Sequence, residues 1–595
     1  MLKKFLITVL ILLACGAAFA AQKVELAPDN PTAVAVNGKV CVRFRVANGD
    51  MTPIDRADLT VRWLAALASE LKPGGFSVKP SGDKACVYFG ETLICIATPA
   101  DAKAAGSDVM GLANQWAKQL SACCSVSSPA LSSKNITVPL GESRTVKVTG
   151  APEGAAIKVA CDNASVAAVV LEGKTITVTG KAVGSAKCTV TVGSDNPVLN
   201  IYVKEYAGTV EEVPAVEVTG TKCPWGIIKP LALDALRASV KCKPGAAYKL
   251  DTSHLISFAL TSGNVGSVKV PVTISGEGYI TVSATAKATV KNVAYRRNPP
   301  SVLFYSNEPE MIKKYQTLYV AKAAAGKTTR VLYHHQNMMN ANVHFTLEVI
   351  NPSSEPVKFH LLSGISEPHI DTVLVGHVAG NEFMRNYDNN IGCFRTLPAH
   401  SRCVIVSDSL KNKITSSGIL EIAHVSGEDI YVKVTAGRPG ADKLGIGKVG
   451  LASAAVNDPL SDHVYPNPVK TIDYVYEVGK QWTFIPVGKH ALTDSTAMKT
   501  LYGNYGVTYN LNIKISNPTD TQRTVSVFFD ATAGLASGMF RVDGEYMLKK
   551  YANSDKEVLL KSYKLAPGQS RVVKLTTIPL SGSNYPVNII VKSVN

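Results

Sequence analysis

The C-terminal half of the chain repeats itself. Residues 343–354 and 508–519 each run as an alternating apolar strand into a turn, Asn351-Pro352-Ser353 in one copy and Asn517-Pro518-Thr519 in the other. Further on, Leu397-Pro398-Ala399-His400-Ser401-Arg402 parallels Leu565-Ala566-Pro567-Gly568-Gln569-Ser570-Arg571, and each copy closes on a Val/Ile strand, 430–434 and 587–591. Alternation of period two puts one face of each segment in a core and the other in water, and Asn, Pro and Gly supply the turns. Two β-sandwiches are therefore expected, at 294–437 and 469–595. The Gly/Ala/Pro-rich stretch 438–468 reads as a linker between them. With 595 residues the chain exceeds one core, and the same alternation marks a further β domain over 206–293.

The N-terminus carries an exported protein's leader. Lys3 and Lys4 precede an apolar run and small residues ending Ala18-Phe19-Ala20. The run is too short for a comfortable membrane span, and the Ala-x-Ala end is what signal peptidase accepts, so residues 1–20 read as a signal peptide. Leu12-Leu13-Ala14-Cys15 also fits a lipoprotein processing box, in which Cys15 would be acylated; soluble export and lipid anchoring both stand. No later apolar stretch is long enough to span a bilayer as a helix.

An exported chain meets an oxidising compartment, so its 12 cysteines read as structural disulfides rather than metal ligands. Spacing offers Cys161 with Cys188, Cys223 with Cys242, and Cys393 with Cys403. Setting Cys15 aside leaves an odd number. The net charge of +16 is scattered singly along strand-like segments. That favours mild attraction to anionic envelope polymers and gives no nucleic-acid footprint.

Residues 22–124 differ from the rest. A strand over 33–46 and two helices, one starting at Thr52-Pro53 and one over 108–120, predict a small α+β domain. Its Asp55-Arg56-Ala57, Thr98-Pro99-Ala100-Asp101-Ala102 and Ala113-Asn114-Gln115-Trp116-Ala117 resemble a periplasmic module of bacterial envelope proteins. Residues 128–205 resemble the group-2 bacterial immunoglobulin-like family. The carriers are Pro139-Leu140-Gly141-Glu142, Asn163-Ala164-Ser165-Val166-Ala167 and above all Thr179-Gly180-Lys181-Ala182-Val183-Gly184-Ser185-Ala186 before Thr189-Val190-Thr191-Val192. The resemblance implies a spacer or binding module without a catalytic residue. The fold class is thus mainly β, a multi-domain chain of Ig-like sandwiches behind a small α+β domain.

Chemistry is hard to find. No Gly-x-Ser-x-Gly elbow occurs, and Ser363-Gly364 and Ser417-Gly418 read as turns. The adjacent His334 and His335 form the most tempting polar cluster, but neighbours on a strand face opposite ways and cannot both ligate one metal. Tyrosines at Tyr502-Gly503-Asn504-Tyr505-Gly506 and Asn584-Tyr585-Pro586 suggest a glycan surface or packed turns. No catalytic, metal or cofactor residue is assigned. The expectation is a non-enzymatic envelope or surface protein, in the periplasm, on the surface or secreted. It would act by adhesion, binding or scaffolding on envelope polymers or other surface proteins, with cell-wall polysaccharide binding and a hydrolase hidden in the duplicated region as alternatives.

Overall fold

A computed structural model describes residues 22–124, 129–151, 154–440, 444–448, 458–532 and 534–594. The leader and Cys15 lie outside them. The chain divides after Glu205 into two compact units.

In the first unit, residues 22–124 form the α+β domain. Strands Val24–Ala27, Asn30–Val36 and Lys39–Arg43 make one antiparallel sheet, and Phe76–Ser81, Lys84–Phe89 and Thr92–Ala97 a second. The single strand expected over 33–46 is a hairpin, because Asn37-Gly38 takes two positive φ angles, 53° and 76°. That pair is the signal of a tight turn whose twist matches its strands. Helices Pro53–Ala66 and Pro99–Ala105 both open on capping boxes, Thr52 with Asp55 and Thr98 with Asp101. A third helix, Val109–Cys123, completes the core through Leu112, Trp116 and Leu120.

Residues 129–204 form a sandwich of two four-stranded sheets, ordered Ile157–Cys161, Gly184–Val192, Val198–Lys204, Asn135–Pro139 and Ala167–Glu172, Thr175–Gly180, Ser143–Thr149, Ala130–Leu131. Alternate residues such as Val146, Val148, Ile176, Val178, Val190 and Ile201 fill the space between. Gly180 permits close approach: a Cβ there would meet Val203 Cγ1 at 2.8 Å and the Pro139 carbonyl at 2.9 Å.

The second unit departs from the expected boundaries. One continuous sheet runs Ala247–Leu250, Val265–Ser275, Val282–Asn292, Val216–Thr219, Gly392–Leu397, Val357–Ile365, Thr415–Ser426, Thr328–Asn337, Val302–Ser306, Val464–Pro466. Val216–Thr219 pairs with Val282–Asn292 on one side and Gly392–Leu397 on the other. There is consequently no break near 293, and both segments share one core. The second layer is Gln316–Ala323, Ile430–Gly437, Val343–Asn351, Ser401–Leu410, Gly445–Lys448. The stretch expected to be a linker thus supplies an edge strand to each layer, Gly445–Lys448 and Val464–Pro466.

The last sandwich packs a five-stranded sheet (Val469–Glu477, Thr508–Ser516, Ser570–Thr577, Ala536–Val542, Glu545–Ala552) on a four-stranded one (Thr483–Val487, Val587–Val594, Arg523–Asp530, Val558–Leu565). Two helices were not anticipated in this unit, Trp225–Ser239 and Thr372–Asp388. The second lies against strand Val357–Ile365 and reaches the last sandwich. Ser363-Gly364 and Ser417-Gly418 are strand residues rather than turns. Gly364 lies directly under this helix's Ala379 and Phe383 backbone, and Gly418 under the Tyr333 ring, so a side chain has no room at either.

The duplicated Asn-Pro turns have a physical basis. Buried Asn351 donates from Nδ2 to the Glu355, Leu397 and Pro398 carbonyls at 2.7, 3.3 and 2.9 Å, and accepts from Ser353 N and Oγ. Asn517 repeats this with Thr521, Leu565 and Ala566 at 2.8, 3.0 and 3.2 Å, and with Thr519 N and Oγ1. Each asparagine ties its strand end to the Pro-containing turn further along its own copy of the repeat. Asn351→Leu and Asn517→Leu each strand buried carbonyls, so each should lower unfolding free energy by about 2–4 kcal/mol in urea denaturation. A loss below about 0.5 kcal/mol at either site would refute the shared role.

Candidate functional site

The sequence module around Arg56 is a core clasp. Arg56 Nη1 and Nη2 donate to Asp101 at 3.1 and 2.6 Å and to the Val46 and Ile96 carbonyls, with both side chains buried. The guanidinium lies 4.4 Å from the Phe44 ring centre, and Phe44 meets Trp116 edge-on at 5.2 Å. The Asp-Arg-Ala, Thr-x-x-Asp-Ala and Ala-x-x-Trp-Ala blocks therefore converge on one packed, charge-balanced point. A cavity of about 90 Å³ beside it is lined by Arg56, Leu59, Trp63 and Leu93.

In the second unit, His334 and His335 lie on Thr328–Asn337 and are both buried. His335 Nδ1 donates to the Pro309 carbonyl at 2.9 Å, so Nε2 is left to accept from Ser306 Oγ at 2.8 Å. His334 makes no hydrogen bond through either ring nitrogen, and its Nε2 is 3.8 Å from Glu310. His360 donates from Nε2 to Thr219 Oγ1, whose own proton goes to the Asn390 carbonyl. His377 is buried without a partner on either nitrogen. Among the described residues, no three His, Cys, Asp or Glu side chains gather into a metal-binding group. These imidazoles are held neutral. Burial pulls His334 and His360 down to about 3, helped by the neighbouring His335 and Arg297, and burial pulls His335 and His377 down to about 4.

Of the bridges expected from spacing, Cys161–Cys188 is formed, between facing residues of adjacent strands. The other two are not. Cys223 is buried in the same core as Cys393, whereas Cys242 is exposed on the strand Val240–Cys242. Cys393 and Cys403 are free thiols in opposite layers, and the Arg395 guanidinium, electrostatically coupled to both, is held by Asp234 at 3.1 Å.

The expected tyrosine surface is mostly internal. Tyr505 and Tyr585 pack edge-on at 5.8 Å, and Tyr505 donates to the Ser583 carbonyl at 2.7 Å; only Tyr502 of the group stands out into solvent. Sequence reasoning missed a different aromatic face. On the outer side of the four-stranded sheet of the last sandwich, Phe484, Ile590, Phe528 and Leu559 stand opposite one another across all four strands. Trp482, next to Phe484 with ring centres 6.4 Å apart, is 48% exposed and Phe484 50%. Lys592 Nζ sits 3.7 Å from the Trp482 ring centre and pairs with Glu557 at 2.5 Å, holding the indole in place. Asn588 and Asp530 flank the same row with hydrogen-bonding groups. The signal lay in Trp482-Thr483-Phe484, where two aromatics alternate with one Thr at the start of the edge strand Thr483–Val487, opposite in phase to the buried Ile485 and Val487.

The architecture defines a multi-domain β-sandwich chain. Residues 125–203 match the bacterial Ig-like domain (group 2) family, as the glycine-containing block at 179–186 led us to expect, and residues 33–124 match a domain of unknown function (DUF8459). No curated protein matches the chain. Among solved structures, domains 4 and 5 of the S-layer protein SbsC align at 24% identity and TM-score 0.12, over 13% of this chain and 44% of that one. The titin Ig tandem A164–A165 aligns at 12% identity and TM-score 0.12, over 28% of this chain and 97% of that one. The ICAM-5 D1–D4 ectodomain fragment aligns at 18% and TM-score 0.16, over 28% and 48%. This chain therefore spans under half of the SbsC and ICAM-5 fragments.

The neutral histidines make stability depend on pH. Their folded values lie below the ordinary 6.5, so the unfolded chain binds more protons once pH falls through 6.5. Stability is full above that value and falls from 6.5 down to the folded values near 3–4. Each group costs about 1.4 kcal/mol per pH unit, so four together should remove on the order of 5 kcal/mol by pH 5.5. Urea unfolding at pH 7.5 and 5.5 measures this, and an unchanged midpoint would show that the four are not held neutral.

Proposed function

We propose that the chain is an exported cell-envelope or surface protein whose Ig-like sandwiches act by binding and scaffolding rather than by catalysis. The group-2 bacterial Ig-like match at 125–203 carries this reading, because such domains serve as spacers and binding modules. The leader-like residues 1–20 support export, and the second unit, one extended core joined to another sandwich, suits a rigid display body. Mass spectrometry of the mature N-terminus tests export: a start at Ala21 means soluble release, an acylated Cys15 means a lipid anchor, and an intact Met1 on envelope-extracted protein refutes the reading.

The exposed aromatic face favours cell-wall polysaccharide as the bound polymer. Sugar rings present flat C–H faces to aromatic rings, and Asn588, Asp530 and Glu557 offer hydrogen bonds to hydroxyls beside Trp482 and Phe484. Co-sedimentation with purified cell-wall polysaccharide should show binding that Trp482→Ala with Phe484→Ala weakens by on the order of tenfold or more. Both side chains lie outside the core, so the melting temperature of the double variant should stay within a few degrees of the parent. Equal retention of parent and variant would remove the aromatic face from the account.

A further inference from the structure

Nine free thiols stand among the described residues beside the bonded Cys161–Cys188 pair. Their placement in the α+β domain is not random. Cys41 lies on the strand Lys39–Arg43, and Cys123 ends the helix Val109–Cys123. Both sulfurs converge on one atom: the Lys39 carbonyl oxygen is 3.2 Å from Cys41 Sγ and 3.9 Å from Cys123 Sγ. The two thiols lie close enough to interact electrostatically. Both belong to the core that holds Phe44, Trp116 and Leu120. Asn37, from the hairpin leading into Lys39–Arg43, donates to the Cys123 carbonyl at 3.0 Å, so the end of the helix is already pinned over this strand.

We propose that Cys41 and Cys123 are joined by a disulfide in the exported protein, stapling the first sheet to the end of the last helix of the α+β domain. The sequence left these cysteines unassigned, because partners this far apart in the chain cannot be paired from spacing. The inference rests on the export reading, since a reducing cytosol would keep the pair as thiols. The oxidant is a disulfide-bearing thiol oxidase of the envelope. One thiolate of the chain attacks the oxidase disulfide, forming a mixed disulfide and releasing one oxidase thiolate. The second thiolate of the chain attacks the chain's sulfur in that mixed disulfide and expels the other oxidase sulfur. One S–S bond forms in the chain, one is lost in the oxidase, and the chain's two thiol protons leave to solvent and the oxidase thiolates. Burial pushes the Cys41 thiol up, so in the folded core this partner has little thiolate to react. The exchange therefore takes place while the helix is still undocked, and docking then buries the finished bond.

Peptide mapping of the full chain tests this, using protein secreted through its own leader, alkylated and digested with trypsin without reduction. The expected product joins the peptide 40–43 to the peptide 119–134, and it persists in Cys124→Ala but is lost in Cys123→Ala. An alkylated Cys41 in protein whose Cys161–Cys188 bond is present overturns the pairing while leaving export intact. Alkylation of Cys161 and Cys188 as well would overturn the export reading and this inference together. Refolding the reduced chain in a glutathione redox buffer asks the geometric question independently of export: the same cross-linked peptide is expected, and Cys41 bonded to Cys124, bonded elsewhere or left reduced refutes the assignment.

Discussion

The second unit is organised around one buried charge cluster. Arg330, fully buried on the strand Thr328–Asn337, donates to Glu421 at 2.7 and 3.2 Å and also to the Gly506 carbonyl and Thr508 Oγ1 of the last sandwich at 2.7 and 2.8 Å. Arg297 takes the other Glu421 oxygen at 2.9 Å and reaches Asn390 and the Tyr387 carbonyl. Two cations share one carboxylate, so the surplus charge is spread over carbonyl dipoles and over the ring faces of Phe383 and Tyr387. Removing one member of such a cluster leaves an uncompensated interior charge, at a cost of roughly 3–5 kcal/mol. Five segments distant in sequence are thereby held to a single geometry.

The helix Thr372–Asp388 sits over that cluster and closes the space between the sandwiches. Gly376 and Gly380 bring its backbone against Ser581 and Leu580, with no room for a β-carbon at either. Tyr551 and Tyr546 of the last sandwich donate to Asp371 and Asp388 at its two ends, each at 2.6 Å. The helix and the charge cluster fix the inner side of the last sandwich, while the aromatic row with Trp482 and Phe484 lies on the outer side of its opposite sheet. A surface backed by this much fixed structure presents its rings with little entropy left to lose on contact.

What could be read in the sequence was local. Period-two patterning located most strands, and the Thr179–Ala186 block located the Ig-like domain, because side-chain alternation and turn chemistry are short-range. The duplication was visible for the same reason: Asn351 and Asn517 perform one hydrogen-bonding task that fixes residue identity. Domain edges were not visible, since Val216–Thr219 joins strands that lie more than seventy and more than a hundred and seventy positions further along the chain, and no local pattern encodes that pairing. The helix Thr372–Asp388 escaped detection because its Val, Thr and Gly residues disfavour helix, and tertiary packing overrides that propensity. The module around Arg56 was visible as a motif, but its meaning was not: Arg56 and Asp101 balance each other's charge inside a core, a relation that exists only after folding.

The Ig-like domain has a further property in its outermost pairing. Its first long strand, Asn135–Pro139, runs parallel to its last, Val198–Lys204, with Asn200 opposite Asn135 and Lys204 opposite Pro139. Tension applied at the two ends of the domain pulls these strands along their common axis in opposite directions. The ladder is then loaded in shear, so its bonds must fail together rather than unzip one at a time. A domain of this topology resists tension applied between its two ends without lengthening.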